Sequence, residues 1–300
     1  MPTAAQRDHW LTVIANLRVD RSRGVAPHKP CLLLVVTDLV EAGELSDPLL
    51  PLTGELTFRF MAYWSVVAYR RSQRPDIHLP FYHLSGDGCW TALDANKQPT
   101  TDRRIATFAH LDPEFFACMN DALFRNRLRR IIVATYFQDA DESMALCDLL
   151  GLPRPSDQLI REDAAAYKAS RQRGREARFR LTVVPAYGYT CALTRYRCVT
   201  VDAGSIVDAC HIHPFSDSRN NHPQNGIALS KNAHWLFDQG LWSLTDNYEV
   251  IVAKDRFDET GSDAWSLLEM EGTLILLPKD KNSWPAPEYV AWHRRNRFKG

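Results

Sequence analysis

The stretch Asp208-Ala-Cys-His-Ile-His-Pro-Phe215, followed by Asn225-Gly-Ile-Ala-Leu229 and His234-Trp-Leu-Phe-Asp238, decides how the C-terminal third of this chain folds. It reads as a strand carrying His211, a loop or returning strand holding Asn225, and a helix that begins near Ser230 and carries His234 and Asp238. Residues four apart share one helical face, so His234 and Asp238 point together toward the preceding hairpin, a geometry suited to one divalent ion. His211 suits removal of a proton from water, because an imidazole titrates near neutrality. Asn225 follows it by fourteen residues, enough for the chain to turn and come back. Phe237 and Leu229 are expected to pack the small core between these elements.

At 300 residues the chain is long enough for two domains, each with its own core. A hydrophobic content of 45% with 24% charged residues belongs to the globular class. The longest apolar run, Cys31 to Val36, is too short to span a bilayer, so no membrane association is expected. The N-terminus lacks the basic start and apolar segment of a signal peptide, so a cytoplasmic protein is the expectation. Seven scattered cysteines argue against a disulfide framework. A formal net charge of zero excludes a uniformly basic coat but leaves room for local patches. Two such patches are Leu123 to Arg130 and the run Lys168 to Arg180, which includes Arg175 and Arg178.

Outward from the deciding stretch, the pattern predicts an α+β protein. It comprises a domain of mixed helices and a hairpin over residues 1–150, a basic helical linker over 151–180, and a C-terminal domain over 181–300 built on the deciding stretch. Trp10, Val13, Ile14 and Leu17 make an amphipathic helix over 8–18. Pro27 and Pro30 introduce an apolar helix from Cys31 to Glu41 that Gly43 ends. Further helices are expected over Leu56–Arg70 and Phe115–Tyr136. Pro80–Leu84 and Cys89–Ala92 read as a hairpin around the turn Ser85–Gly88. Leu152–Ser156 is a break, and Gln158–Arg180 a linking helix. Leu274–Pro278 reads as a short strand and Tyr289–Arg297 as a terminal helix.

His211, Ile212 and Pro214, then Asn225-Gly226, then His234, Phe237 and Asp238 resemble the HNH endonucleases, in the branch reading His-Ile-x-Pro, Asn-Gly and His-x-x-Phe-Asp. The resemblance implies a ββα-metal fold that hydrolyses phosphodiester bonds, with His211 as general base and Asn225 and His234 as further catalytic groups. It implies that Asn225 either coordinates the ion or holds His211 in place. Asp208, Asn225, His234 and Asp238 are then the candidate ligands for a divalent ion, Mg²⁺ or Mn²⁺ by expectation. Many members carry Asp or His immediately before the base. Here that position is Cys210, a poor partner for hard Mg²⁺, so Asp208 is the alternative carboxylate, although strand alternation sets it opposite His211. Cys191 and Cys198 are not spaced as Cys-x-x-Cys and no second pair follows, so structural zinc is not expected.

In the N-terminal half, Ala26-Pro-His-Lys-Pro-Cys-Leu-Leu-Leu34 and Leu79-Pro-Phe-Tyr-His-Leu-Ser-Gly-Asp-Gly-Cys-Trp90 resemble the sulfur-binding domain found fused to HNH nucleases. Such fusions attack phosphorothioated double-stranded DNA as type IV restriction enzymes. A sulfur reader needs an apolar pocket flanked by cations for neighbouring phosphates. Pro80, Phe81 and Tyr82 are candidates for the first; Arg21, Arg23, His28, Lys29 and His83 for the second. Arg175 and Arg178 are further DNA-contact candidates. Three other readings stay open: a nuclease directed to methylated or otherwise modified bases, one acting on unmodified DNA, and a DNA-binding protein with a decayed site. One such site cuts one strand, so a double-strand break implies a homodimer or two successive nicks.

Overall fold

The computed structural model describes residues 2–68, 72–153, 164–260 and 265–300, with the backbone alone over 164–171. The chain divides into two units, residues 1–177 with 200–204 and residues 178–199 with 205–300. Helices and small antiparallel sheets make both, an α+β architecture. Among the described residues no helix is long and apolar enough to cross a membrane.

In the first unit, helix α1 (Ala4–Ala15) opens with a reciprocal cap between Thr3 and Gln6. Helix α2 (His28–Glu41) has no exposed surface from Cys31 through Val36, so it runs through the centre of this unit. Strand β1 (Leu49–Pro51) precedes α3 (Gly54–Val67), which Thr53 caps by accepting from Leu56 N–H.

Residues 80–92 depart from the expected hairpin. His78–His83 is helix α4, and Leu84–Asp87 tightens into a 3₁₀ turn that closes at Gly88 with φ 80°. Trp90–Leu93 is strand β2. Pro80 falls in the first turn of α4, where a missing N–H breaks no helical bond. Phe81 is fully buried, and its carbonyl accepts from Trp90 Nε1 at 2.8 Å. Strand β2 pairs with β3 (Phe108–Leu111), which pairs in turn with β1; Leu50 and Ala92 lie on either side of Ala109.

The helix expected over 115–136 is two helices, α5 (Pro113–Met119) and α6 (Ala122–Tyr136). Asp121 separates them because its carboxylate caps the second at Leu123 N–H. Arg129 of α6 is buried and donates to Thr37 (3.1 Å), Asp38 (2.7 Å) and Glu41 (2.6 Å) on α2. Helix α7 (Ala140–Leu150) ends at the left-handed Gly151. Of the expected linking helix, residues 158–163 lie outside the described residues, and Ala164–Ala186 forms helix α8. A side chain at Gly174 would run into the Ala145 carbonyl, so α8 approaches α7 closely there.

After two short strands, β4 (Val199–Thr200) and β5 (Gly204–Ser205), the second unit is built on strand β6 (Val207–His211). One turn of helix, α9 (Phe215–Ser218), leads toward the antiparallel partner β7 (Gly226–Ser230). Ser230 is the N-cap residue of α10 (Lys231–Asp238), which packs across both strands. Strands β8 (Trp242–Leu244) and β9 (Val250–Val252) form a further pair. The strand expected over Leu274–Pro278 is reduced to one bridge, Glu249 to Leu274. Helix α11 (Pro287–Asn296) starts on a proline, as suits a first helical position.

His293 of α11 ties these pieces together. Its ring stacks on Phe237 with centroids 3.6 Å apart, and its Nε2 lies 3.2 Å from the Phe237 carbonyl. A carbonyl only accepts, so Nε2 donates and Nδ1 receives the Ser243 hydroxyl at 2.9 Å. The ring is therefore held neutral, and burial lowers its pKa to about 4. The unfolded chain binds this proton from about pH 6.5 downward and the folded chain only near 4. Its contribution is thus present above 6.5 and is lost as the pH falls toward 4, by about 3 kcal/mol in all. Urea unfolding at a series of pH values should show this decline, and His293→Gln should flatten that part of the curve. An unchanged pH dependence in the variant would remove His293 as its source.

Candidate active site

His211 is the last residue of β6 and lies opposite Gly226 on β7. A side chain at 226 would collide with Phe179 and Val183 of α8. Glycine there admits Phe179, which stacks on the His211 ring with centroids 3.9 Å apart and planes 6° from parallel. Phe215 approaches the same ring at 6.1 Å. Asn221 Oδ1 sits 2.7 Å from His211 Nε2; an amide oxygen accepts, so the ring proton is on Nε2. Stack and hydrogen bond together fix both the plane and the tautomer of this imidazole.

Asn225 has no exposed surface. Its Oδ1 accepts from His213 N–H at 2.8 Å, and its Nδ2 donates to the carbonyls of His213 (2.9 Å) and Asn220 (3.1 Å). The carboxamide thus clamps the loop leaving β6, two residues past His211. His213 itself stacks on Trp292 at 3.7 Å.

The structure brings together Cys210, His234 and Asp238, with one donor atom from each lying within 4.8 Å of the others. His234 Nε2 and Asp238 Oδ2 are 3.4 Å apart on α10, with 30% and 57% of their side chains exposed. Cys210 is fully buried, and burial, with Asp238 and Asp208 nearby, pushes its thiol well above the ordinary value. Asp208 and Asn225 stand outside this group. Asp208 pairs with Arg180 at 3.0 Å. Sulfur, imidazole and carboxylate on three residues, two of them open to solvent, fit a divalent ion held with a position left for another ligand. The sequence left open whether Cys210 or Asp208 contributes to the metal site, and flagged Phe179 and Asn221 not at all. Neither of those two belongs to a spaced motif, although the Asn220-Asn221 pair shortly after His211 was a visible signal.

In the first unit a cleft of 740 Å³ is lined by Arg23, His28, Lys29, Pro80 and His83, with Arg18 and Arg74 beside them. Lys29 Nζ donates to Asp87 at 2.5 Å and to the Arg18 carbonyl at 2.7 Å. His28 Nε2 lies 3.0 Å from the Arg74 carbonyl. Burial and the cations Lys29 and Arg103 lower the pKa of His83. Three candidates from the sequence are absent from the lining. Arg21 is exposed on its loop, the Tyr82 hydroxyl donates to the Thr101 carbonyl at 2.7 Å, and Phe81 lies in the core because α4 replaces the expected strand. Arg175 is half-buried and Arg178 exposed on α8.

Asn225→Ala would leave the half-buried His213 and Asn220 backbone groups without their partner, a loss of about 1–3 kcal/mol. Urea unfolding of the full chain measures it; a loss below about 1 kcal/mol would show that the clamp carries little.

Residues 191–245 match the HNH endonuclease family. No curated protein matches the chain in sequence. Among solved structures, a chain described as "Modification dependent TagI restriction endonuclease" is similar with a TM-score of 0.31 and 17% identity, over 41% of this chain and 38% of that one. The similarity thus spans little more than a third of that protein. Residues 191–245, with His211 on β6 and His234 and Asp238 on α10, are an HNH endonuclease domain, a module class that uses a divalent metal.

Proposed function

We propose that this protein is a modification-dependent DNA endonuclease that recognises phosphorothioated double-stranded DNA through its first unit and hydrolyses the backbone at His211. The observation that carries the nuclease half is the match of residues 191–245 to the HNH endonucleases, on a stretch where His211 is fixed by Phe179 and Asn221. His211 takes a proton from the attacking water as the oxygen bonds to phosphorus. The bond to the 3′ oxygen breaks, and that oxygen leaves with a proton from solvent. Asn221 and Phe179 orient the imidazole, and Asn225 holds the loop that follows it. A bound divalent ion supplies charge neutralisation for the phosphate and the leaving oxygen.

The reading half is supported by the cleft of the first unit. Ala26, Leu79 and Pro80 give it apolar surface suited to a large, weakly hydrated sulfur. Arg18, Arg23 and Arg74 supply cations for the flanking phosphates. The first turn of α2 opens there without a side-chain cap, and the positive end of its dipole also favours an anion. Arg175 and Arg178 would add backbone contacts.

The test is cleavage of matched plasmids, one phosphorothioated and one plain, with Mg²⁺, Mn²⁺ or Co²⁺ and a chelator control. Cutting of the modified plasmid alone is expected, and His211→Ala should lower it on the order of 10²–10⁴-fold. Equal cutting of both would keep the nuclease and sink the sulfur reader, and full activity in His211→Ala would end its assignment as base.

Binding offers a separate check. Arg23→Ala should weaken binding to modified duplex and lower the slope of log affinity against log salt by about one. An unchanged slope would take Arg23 out of the phosphate contacts.

A further inference from the structure

We propose that the Cys210 sulfur is a direct metal ligand with His234 and Asp238, and that this site takes a borderline ion of the zinc, cobalt or nickel kind in preference to magnesium. The inference rests on the nuclease reading only in placing a divalent ion at α10; the identity of the third donor comes from the geometry.

An ion with bonds of about 2.0–2.3 Å holds its donors about 3.3–3.6 Å apart. His234 and Asp238 already stand at 3.4 Å, and all three donors lie within 4.8 Å, so a small side-chain adjustment closes the set. The sulfur is the rigid member. Cys210 sits inside the β6–β7 ladder opposite Ile227 and has no exposed surface, whereas the two helix donors reach it from the solvent side. Asp208, the carboxylate expected from sequence, is engaged by Arg180, and the Asn225 carboxamide by backbone. Among the described residues, Asp238 is therefore the one carboxylate in the group. Magnesium binds through oxygens in strict octahedral geometry, and sulfur is alien to it. Thiolate with imidazole is the donor chemistry of zinc, cobalt and nickel. Asp238 is more than half exposed, which leaves an open side on which a phosphate oxygen or water completes the sphere. Binding replaces the S–H bond by a sulfur–metal bond and releases that proton to buffer.

The test uses Co²⁺ as a spectroscopic probe on the full-length chain after chelator treatment. A near-ultraviolet sulfur-to-cobalt charge-transfer band should grow to saturation at one ion per chain. Zn²⁺ should abolish it, and a large excess of Mg²⁺ should leave it intact. Cys210→Ser should lose the band. His234→Ala, a change at a half-exposed position that spares the core, should lose it too, so the test stands even where the buried cysteine variant fails to fold. His211→Ala should keep it. Absence of the band, its survival in Cys210→Ser, or displacement of Co²⁺ by comparable Mg²⁺ would overturn the proposal. A band without DNA cleavage would leave this site standing and remove the nuclease reading; Mg²⁺-dependent cleavage without a band would do the reverse.

Discussion

The register of β6 against β7 is the constraint on which the second unit depends. With His211 opposite Gly226 and Cys210 opposite Ile227, the imidazole meets a residue that leaves room for Phe179, and the thiol is buried. A slip of one residue would exchange the two faces, exposing Cys210 and setting His211 against a side chain. Asn225 supports that register by bonding both backbone groups of His213 across the loop, and His293 separately ties α10 to α11 through the Phe237 carbonyl. Under the proposed reading neither need touch a substrate to matter, because a catalytic group displaced by an ångström loses much of its effect.

The same arrangement divides rigidity from access. Cys210, Asn225 and His293 are buried, while His234 and Asp238 stand half-open on α10. The buried side chains hold the frame of the hairpin and helix, and the two helix side chains face solvent from it.

Much of the second unit was legible in the sequence because its signals are local. His211, Asn225, His234 and Asp238 fall on the strand, turn and helix that their spacing requires, and Ser230 precedes the helix. What escaped depends on contacts between distant segments. Phe179 reaches His211 from α8 through a gap left by Gly226, and no periodicity encodes that. The stretch 80–92 was misread because Ser85-Gly-Asp-Gly88 looks like a hairpin turn, whereas Gly88 ends a helical segment in the left-handed region. There Pro80 is an early helical residue, and the aromatic Phe81 that resembled binding surface belongs to the core. Leu274–Pro278 carries a strand-like composition but finds a bridge only at Leu274.

The charge balance follows a similar logic. A net charge of zero would argue against a polyanionic partner if charges were spread evenly, but in the first unit they are sorted along α2. Toward its C-terminus, Asp38 and Glu41 neutralise Arg129, and Glu41 also faces Arg125 at 3.9 Å. Two arginines of the basic run on α6 are in this way engaged by the fold, while Arg127 and Arg130 stay exposed. At the N-terminus of the same helix, Lys29 is held by Asp87, which also accepts from Arg18 N–H at 3.0 Å. That carboxylate is 4% exposed, so it organises the cleft without presenting its charge to solvent. Arg18, Arg23 and Arg74 remain around the cleft beside the positive end of the helix dipole. Asp20 also lines the cleft, beside Arg23, so three arginines outnumber one exposed acid there, a local excess that a net charge of zero does not reveal.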